Sequence, residues 1–229
     1  MADVVRTWVF RLLFAIGSLL VVIVIPIVAL FGQRAMIAYS HGWARYHGAI
    51  ARWIMGVRTQ VSGAALPDGP VLYAAKHEAM YETLELPYRL GGPAVVIKRE
   101  LAQIPLWGWA ARIYGALPVD REASAKALRQ LMSDAAVFKE QGRSVIVFPE
   151  GSRMAHGERP PLRSGFAGLY RALGYPVVPI ALDSGRRWPR KGHAHAGPVR
   201  VLIGEAIPPG LPRREIEERV HAAINALND

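Results

Sequence analysis

Two side chains five positions apart, His77 and Glu82, combine the residue types and the spacing needed for base chemistry. A carboxylate bonded to imidazole Nδ1–H fixes the tautomer, leaves Nε2 to take a proton and favours the cation that results. Such a pair activates an acceptor hydroxyl. Within one helix, residues five apart point about 140° away from each other, so His77 must sit just outside a helix and Glu82 in its first turns. The run VLYAAKHEAMYE, from Val71 to Glu82, supplies that break. Val71–Ala75 reads as a buried strand after the turn Pro67-Asp68-Gly69-Pro70, and a helix opens near Glu82. His77 therefore falls at a strand end, where parallel α/β sheets collect ligands and catalytic groups. A zinc-protease HExxH motif is excluded, because Tyr81 stands where its second histidine belongs.

Three further stretches place chemistry at strand ends. Lys98-Arg99-Glu100-Leu101 follows one apolar run, and Phe148-Pro149-Glu150-Gly151-Ser152-Arg153 follows another. Val177–Leu182 is a strand interrupted by Pro179, which points to an edge strand or a bulge. Cations from two strand ends can converge on one anion, and an arginine fork suits a phosphate.

The elements that must position these groups alternate. Strands are expected at Val71–Ala75, Ala94–Lys98, Ser144–Phe148, Val177–Leu182 and Val199–Ile203. Helices are expected at Glu82–Leu90, Leu106–Tyr114, Ser124–Gln141, Ser164–Leu173 and Arg213–Leu227. The helix at Ser124–Gln141 carries Leu128, Leu131, Met132, Ala135 and Phe138 on one stripe and stops at Gly142. Such alternation predicts an α/β layered domain, residues 59–229, with a largely parallel sheet flanked by helices.

Residues 1–58 read as a membrane anchor. Leu12 to Phe31 is twenty residues without a charge, long enough as a helix to match the ~30 Å hydrocarbon core of a bilayer. It exceeds the apolar core of a signal peptide, and Arg34 stands where a cleavage site would follow. Pro26 is expected to kink or break the helix, which leaves a straight span and a re-entrant hairpin both open. Arg34 to Val57 reads as an amphipathic helix with Ile37, Trp43, Ile50, Trp53, Ile54 and Val57 near one face, suited to the headgroup boundary. The net charge of +10 and pI near 10.3 call for acidic partners, and beside a membrane segment these are anionic lipid. Nucleic acid is disfavoured, because the tryptophans cluster in the membrane helix and beside Pro105, not among basic residues on a sheet. The absence of cysteine excludes disulfides and thiolate chemistry. The basic segment Arg186–Lys191, with Trp188, suits headgroups or donor phosphates. His193 and His195 lack a neighbouring carboxylate cluster, so no metal is expected.

Taken in order, His77–Glu82, Lys98–Leu101, Phe148–Arg153 and Val178–Leu182 resemble the four blocks of the membrane-bound glycerolipid acyltransferases, in particular the bacterial 1-acylglycerol-3-phosphate acyltransferases. The resemblance covers Val71 to Leu182 and fits the N-terminal anchor. It departs at Glu82, where the family usually has Asp, and at Ser152, where Thr is common. The resemblance implies transfer of a fatty acyl group from a thioester to the sn-2 hydroxyl of lysophosphatidic acid, at the cytoplasmic face of the cell inner membrane. His77 would be the general base and Glu82 its orienting acid. Lys98, Arg99 and Arg153 would hold the acceptor's phosphate. Glu150 would anchor its loop or a neighbouring cation, Gly151 would let backbone approach the ligand, and Ser152 and Pro179 would complete the motifs. Backbone N–H groups near Val178–Ile180 are the suggested oxyanion donors. No cofactor is implied beyond the donor, acyl-CoA or acyl-carrier protein. Glycerol-3-phosphate and a lyso-ornithine lipid remain alternative acceptors.

Overall fold

Period-two alternation decides the core. In β2 (Leu72–Ala75), Leu72 and Ala74 point to one face of a sheet while Tyr73 and Ala75 point to the other. The computed structural model describes residues 1–119 and 125–228. The sheet comprises β1 (Val57–Gly63), β2, β3 (Ala94–Lys98), β4 (Leu117–Val119), β5 (Val145–Val147), β6 (Val177–Leu182) and β7 (Gly197–Ile203), in the order β1-β7-β6-β2-β5-β3-β4. Every pairing is parallel except β6 with β7. The chain therefore forms an α/β domain with a largely parallel sheet, as its alternation predicts.

Helices cover both faces. On one lie α5 (Ala125–Glu140), α6 (Gly165–Leu173) and α8 (Arg213–Ile224), which bring Leu131, Phe138, Phe166, Leu169 and Ile216 onto Leu72, Ala74, Val145 and Val177. On the other, Leu86 of α3 (Tyr81–Arg89) packs on Tyr73, Ile146, Val178 and Ile180. Of the helix expected at Ser124–Gln141, Ser124 and the Leu128 side chain lie outside the described residues. The sequence pattern misses two strands. β1 pairs with β7 alone and is mostly exposed, so its side chains carry little apolar signal; β4 is three residues long.

Pro179 marks neither an edge nor an isolated bulge. β6 is an interior strand, bonded to β2 on one side and β7 on the other. The proline sits just before the antiparallel register begins at Ile180↔Ile203, and its carbonyl accepts from Gly204 N–H at 2.8 Å. Its missing N–H thus falls where the ladder to β7 breaks off. A Cβ at Gly204 would press on the Pro179 ring at 2.8 Å, which is why glycine stands opposite.

The N-terminal region is a helical hairpin of α1 (Ala2–Ala29) and α2 (Gly32–Trp53). α1 is long and apolar enough to cross a membrane. Pro26 does not break it: the proline lies in the last turn, and the chain reverses at Leu30 and Phe31. One side of α1 is held along its length. Asp3 accepts from His195 Nδ1 (2.9 Å), Thr7 Oγ1 from Ala194 N–H (3.2 Å), Ser18 Oγ from Trp43 Nε1 (3.1 Å) and Val21 O from Tyr39 OH (3.0 Å). Phe10 meets Trp188 with ring centroids 4.7 Å apart, and Ile25 packs with Met36 and Tyr114. The opposite side exposes Trp8, Leu12, Ile16, Leu19, Ile23 and Ile27. α2 buries Met36, Ala44, His47 and Ala51, a stripe rotated from the expected one. Trp53 is 78% exposed, with the Arg52 guanidinium 5.5 Å from its ring centroid.

Candidate active site

The ladder carries β2 one residue past its last paired position, where Lys76 N–H donates to Ile180 O at 2.9 Å, and the chain then leaves the sheet at His77. α3 starts four residues later, so Glu82 stands in its first turn and its carboxylate reaches back. His77 Nδ1 lies 2.9 Å from Glu82 Oε1. An ionised carboxylate only accepts, so Nδ1 carries the proton and Nε2 is left with a lone pair. The same Oε1 accepts from Glu78 N–H (2.7 Å) and Ala79 N–H (2.6 Å), and Oε2 accepts from Ser184 Oγ (2.8 Å). Glu82 is 2% exposed. Four donors thus fix a buried carboxylate under a histidine whose side chain keeps 13% of its surface open. The Phe148 ring lies against the imidazole, with centroids 4.4 Å apart.

Beneath this pair lies a second charge set that sequence reasoning missed. Lys76 is fully buried, and its three ammonium protons go to Glu150 Oε1 (2.6 Å), Glu158 O (2.6 Å) and Asn225 Oδ1 (2.8 Å). That satisfies every donor the group has. Glu150 Oε2 accepts from His77 N–H at 3.2 Å, so the pair ties the loop after β5 to the backbone of His77. Met154 N–H donating to His77 O at 2.8 Å does the same from the other side. Glu78 is also buried. It accepts from Gly185 N–H (2.7 Å) and His156 Nδ1 (3.0 Å), and burial pushes its carboxyl pKa up while these donors pull it back. His156 Nε2 in turn accepts from Arg186 Nε at 2.7 Å. The one available sequence signal was the Lys76-His77-Glu78 triplet at a buried strand end; its partners lie about 70 or more positions away and no local spacing reveals them.

The other expected site residues distribute along the same edge of the sheet. Arg153 is exposed on the loop after β5, and Ser152 is half-buried beside it. Gly151 adopts φ +74°, and a Cβ there would meet the Arg163 side chain at 3.0 Å, so the turn itself demands glycine. Lys98 ends β3 and Arg99 follows it, with β5 standing between them and β2. At ~4.8 Å per strand, that offset is roughly 10 Å. The strand backbone at Val178–Ile180 is paired with β2 throughout and Pro179 has no N–H, so this segment has little to offer an oxyanion. Trp188 is half-buried, with its ring against Phe10 and Tyr81. His195 is engaged by Asp3, and among the described residues no group of three or more metal-ligating side chains forms.

A family model described as Acyltransferase matches residues 58–183, more than half of the chain. The chain belongs to the acyltransferase family. A 1-acyl-sn-glycerol-3-phosphate acyltransferase of Pseudomonas aeruginosa is 33% identical over 167 residues, covering 72% of this chain and 65% of the relative. The human 1-acyl-sn-glycerol-3-phosphate acyltransferase alpha is 30% identical over 136 residues, covering 58% of this chain and 48% of the relative. The chain thus spans less than two thirds of the length of these curated relatives. The crystal structure of the 1-acyl-sn-glycerophosphate (LPA) acyltransferase from Thermotoga maritima superposes with a TM-score of 0.74 at 21% identity, over 98% of this chain and 97% of that one. The chain therefore shares that fold over nearly its whole length, hairpin included.

Within the α/β layers, an open apolar cavity of about 510 Å³ lies between α3 and the sheet, lined by Val61, Leu66, Leu86, Leu90, Ile180 and Ile203, among others. Leu86 stands one helical turn beyond Glu82. A smaller cavity of about 140 Å³ separates α1 from Met80, Trp188 and Pro189.

Proposed function

We propose that the chain transfers a fatty acyl group from an acyl thioester to the sn-2 hydroxyl of lysophosphatidic acid, giving phosphatidic acid. The observation that carries this reading is the His77–Glu82 pair, its carboxylate held by His77 and three further donors at the carboxyl edge of a largely parallel sheet. The names of the relatives supply the substrate class. His77 Nε2 takes the hydroxyl proton as the oxygen attacks the thioester carbonyl, and Glu82 stabilises the imidazolium. Collapse of the tetrahedral adduct expels the thiolate, which recovers the proton from Nε2. The chain itself forms no covalent intermediate.

Arg153, with Lys98 and Arg99, holds the acceptor phosphate; positioning the hydroxyl in this way removes several kcal/mol from the barrier. The roughly 10 Å offset of β3 matches cations set around a whole headgroup better than around one oxygen. The apolar cavity beside α3 takes the alkyl chain. The donor is acyl-CoA or acyl-carrier protein. Glycerol-3-phosphate and a lyso-ornithine lipid are the alternative acceptors.

The domain holds α1 at both ends, through Asp3, Thr7 and Phe10 and through Ile25, with α2 along its middle, so it lies in one leaflet instead of crossing both, with its exposed apolar side in acyl chains. On this reading the active site lies at the cytoplasmic face of the inner membrane. Acyl transfer from labelled acyl-CoA to lysophosphatidic acid by the vesicle-reconstituted protein, run beside His77→Ala, tests the reading. Labelled phosphatidic acid from wild type and none from a folded His77→Ala is expected; no product from wild type with any of the three acceptors and either donor overturns it.

A further inference from the structure

The sharpest backbone anomaly among the described residues lies far along the chain from His77. Leu106 has φ 61° and ψ −53° and is the single non-glycine residue with positive φ among those described. Trp107 N–H donates to Pro105 O at 2.6 Å, which closes a strained γ-turn around Leu106. The side chains that this segment presents are apolar and open: Leu101, Ile104, Leu106 and Trp109 are each 40–46% exposed. The backbone under them is rigid. A Cβ at Gly108 would run into the Ala102 carbonyl, and Arg112 Nη2 donates to that same carbonyl at 3.0 Å. A rigid, strained loop that holds large apolar side chains in water needs an occupant.

Its neighbours identify one. α4 (Trp107–Tyr114) puts Ala110, Ile113 and Tyr114 against Val22, Ile25 and Val28 of α1, so the loop leads into a helix that abuts the half of α1 exposing Ile23 and Ile27. Lys98, Arg99 and the carboxylate Glu100 precede the loop and Arg112 follows it, so three cations and one anion flank an apolar tip. Apolar side chains flanked by net positive charge and continuous with a lipid-facing helix match an anionic bilayer surface, where each cation adds about 1 kcal/mol of attraction.

We propose that residues 101–109 are a second membrane-inserting element, a wedge that enters the same leaflet as α1 and fixes the rotation of the domain about that helix. One helix lying in a leaflet opposes rotation about its axis only through its own exposed stripe; a second contact, away from that axis, holds the rotation with a longer lever arm. The proposal rests on the seating of α1, and its test separates the two. Because the chain has no cysteine, nitroxide labels can be placed one at a time in the full-length protein, at Ile104→Cys, Leu106→Cys, Ile16→Cys on α1 and Arg214→Cys on α8. The probe is a vesicle of phosphatidylethanolamine and phosphatidylglycerol. Labels at 104 and 106 are expected to lose accessibility to a water-soluble nickel chelate and gain accessibility to oxygen, as the label at 16 does, while the label at 214 stays wet. A buried label at 16 with wet labels at 104 and 106 overturns the wedge and leaves the anchor intact. A wet label at 16 overturns the seating of α1 and the wedge with it. Spin–spin broadening at 104 and 106 would assign the patch to a second copy of the chain and also overturn the wedge.

Discussion

Replacing Glu82 by glutamine isolates the electrostatic part of the site. Glu82 receives four hydrogen bonds, from His77 Nδ1, Glu78 N–H, Ala79 N–H and Ser184 Oγ. In Glu82→Gln the amide oxygen still serves His77 and the two backbone donors, and the NH₂ group meets Ser184 Oγ, which accepts as readily as it donates. What disappears is the negative charge. With charge centres about 4 Å apart and an effective dielectric near 20, the carboxylate stabilises the imidazolium by about 4 kcal/mol. That is worth about 10³-fold in rate. The loss belongs in kcat, with the acceptor KM unchanged, because the imidazolium exists only after proton transfer has begun. Thiol release from acyl-CoA in reconstituted vesicles measures both, and thermal unfolding checks the fold. Glu82→Ala is a poorer probe, since it strands two buried N–H groups at about 1–3 kcal/mol each and loosens the loop. Turnover of Glu82→Gln within about tenfold of wild type, at equal Tm, would refute the role given to the charge.

Lys76→Met should destabilise the domain by about 3–5 kcal/mol in chemical unfolding, because Glu150 stays buried without its cation, and adding Glu150→Gln should recover most of that loss. Arg153→Ala should raise KM for lysophosphatidic acid by about 10- to 100-fold with little change in kcat, the worth of a lost charged hydrogen bond; an unchanged KM removes Arg153 from the phosphate site. Burial among Phe10, Phe14, Tyr81 and Trp188 lowers the His47 pKa from 6.5 to about 4, and neither ring nitrogen has a partner among the described residues. The unfolded chain therefore binds the extra proton first. Stability is fully present above pH 6.5 and falls as pH drops toward about 4, by up to about 3 kcal/mol, and His47→Phe should flatten that slope in denaturant titrations across this window. Leu90→Trp should fill part of the cavity beside α3 and shift product composition toward shorter acyl chains, read by mass spectrometry of the phosphatidic acid; an unchanged profile would place the chain elsewhere.

Local chemistry was legible in the chain wherever it depends on neighbours within one turn or one strand. The break between Ala75 and Glu82, the apolar length of Leu12–Phe31 and the alternation of strands and helices all follow from short-range periodicity. For that reason the His77–Glu82 pair and the α/β class are readable without coordinates. What the tertiary structure alone decided involves partners distant in sequence or buried against expectation. Lys76 reads as an ordinary cation until β2 is placed at the centre of the sheet, where Glu150 and Asn225, 74 and 149 positions away, close around it. Ser184 reaches Glu82 across 102 positions because β6 lies beside β2. Pro179 suggests an edge by its chemistry, yet it occupies an interior strand because the ladder to β7 begins one residue later. Which side of the apolar N-terminal helix is packed and which is open is likewise a tertiary matter. Composition does not carry that information; the contacts from Asp3 to Ile25 do.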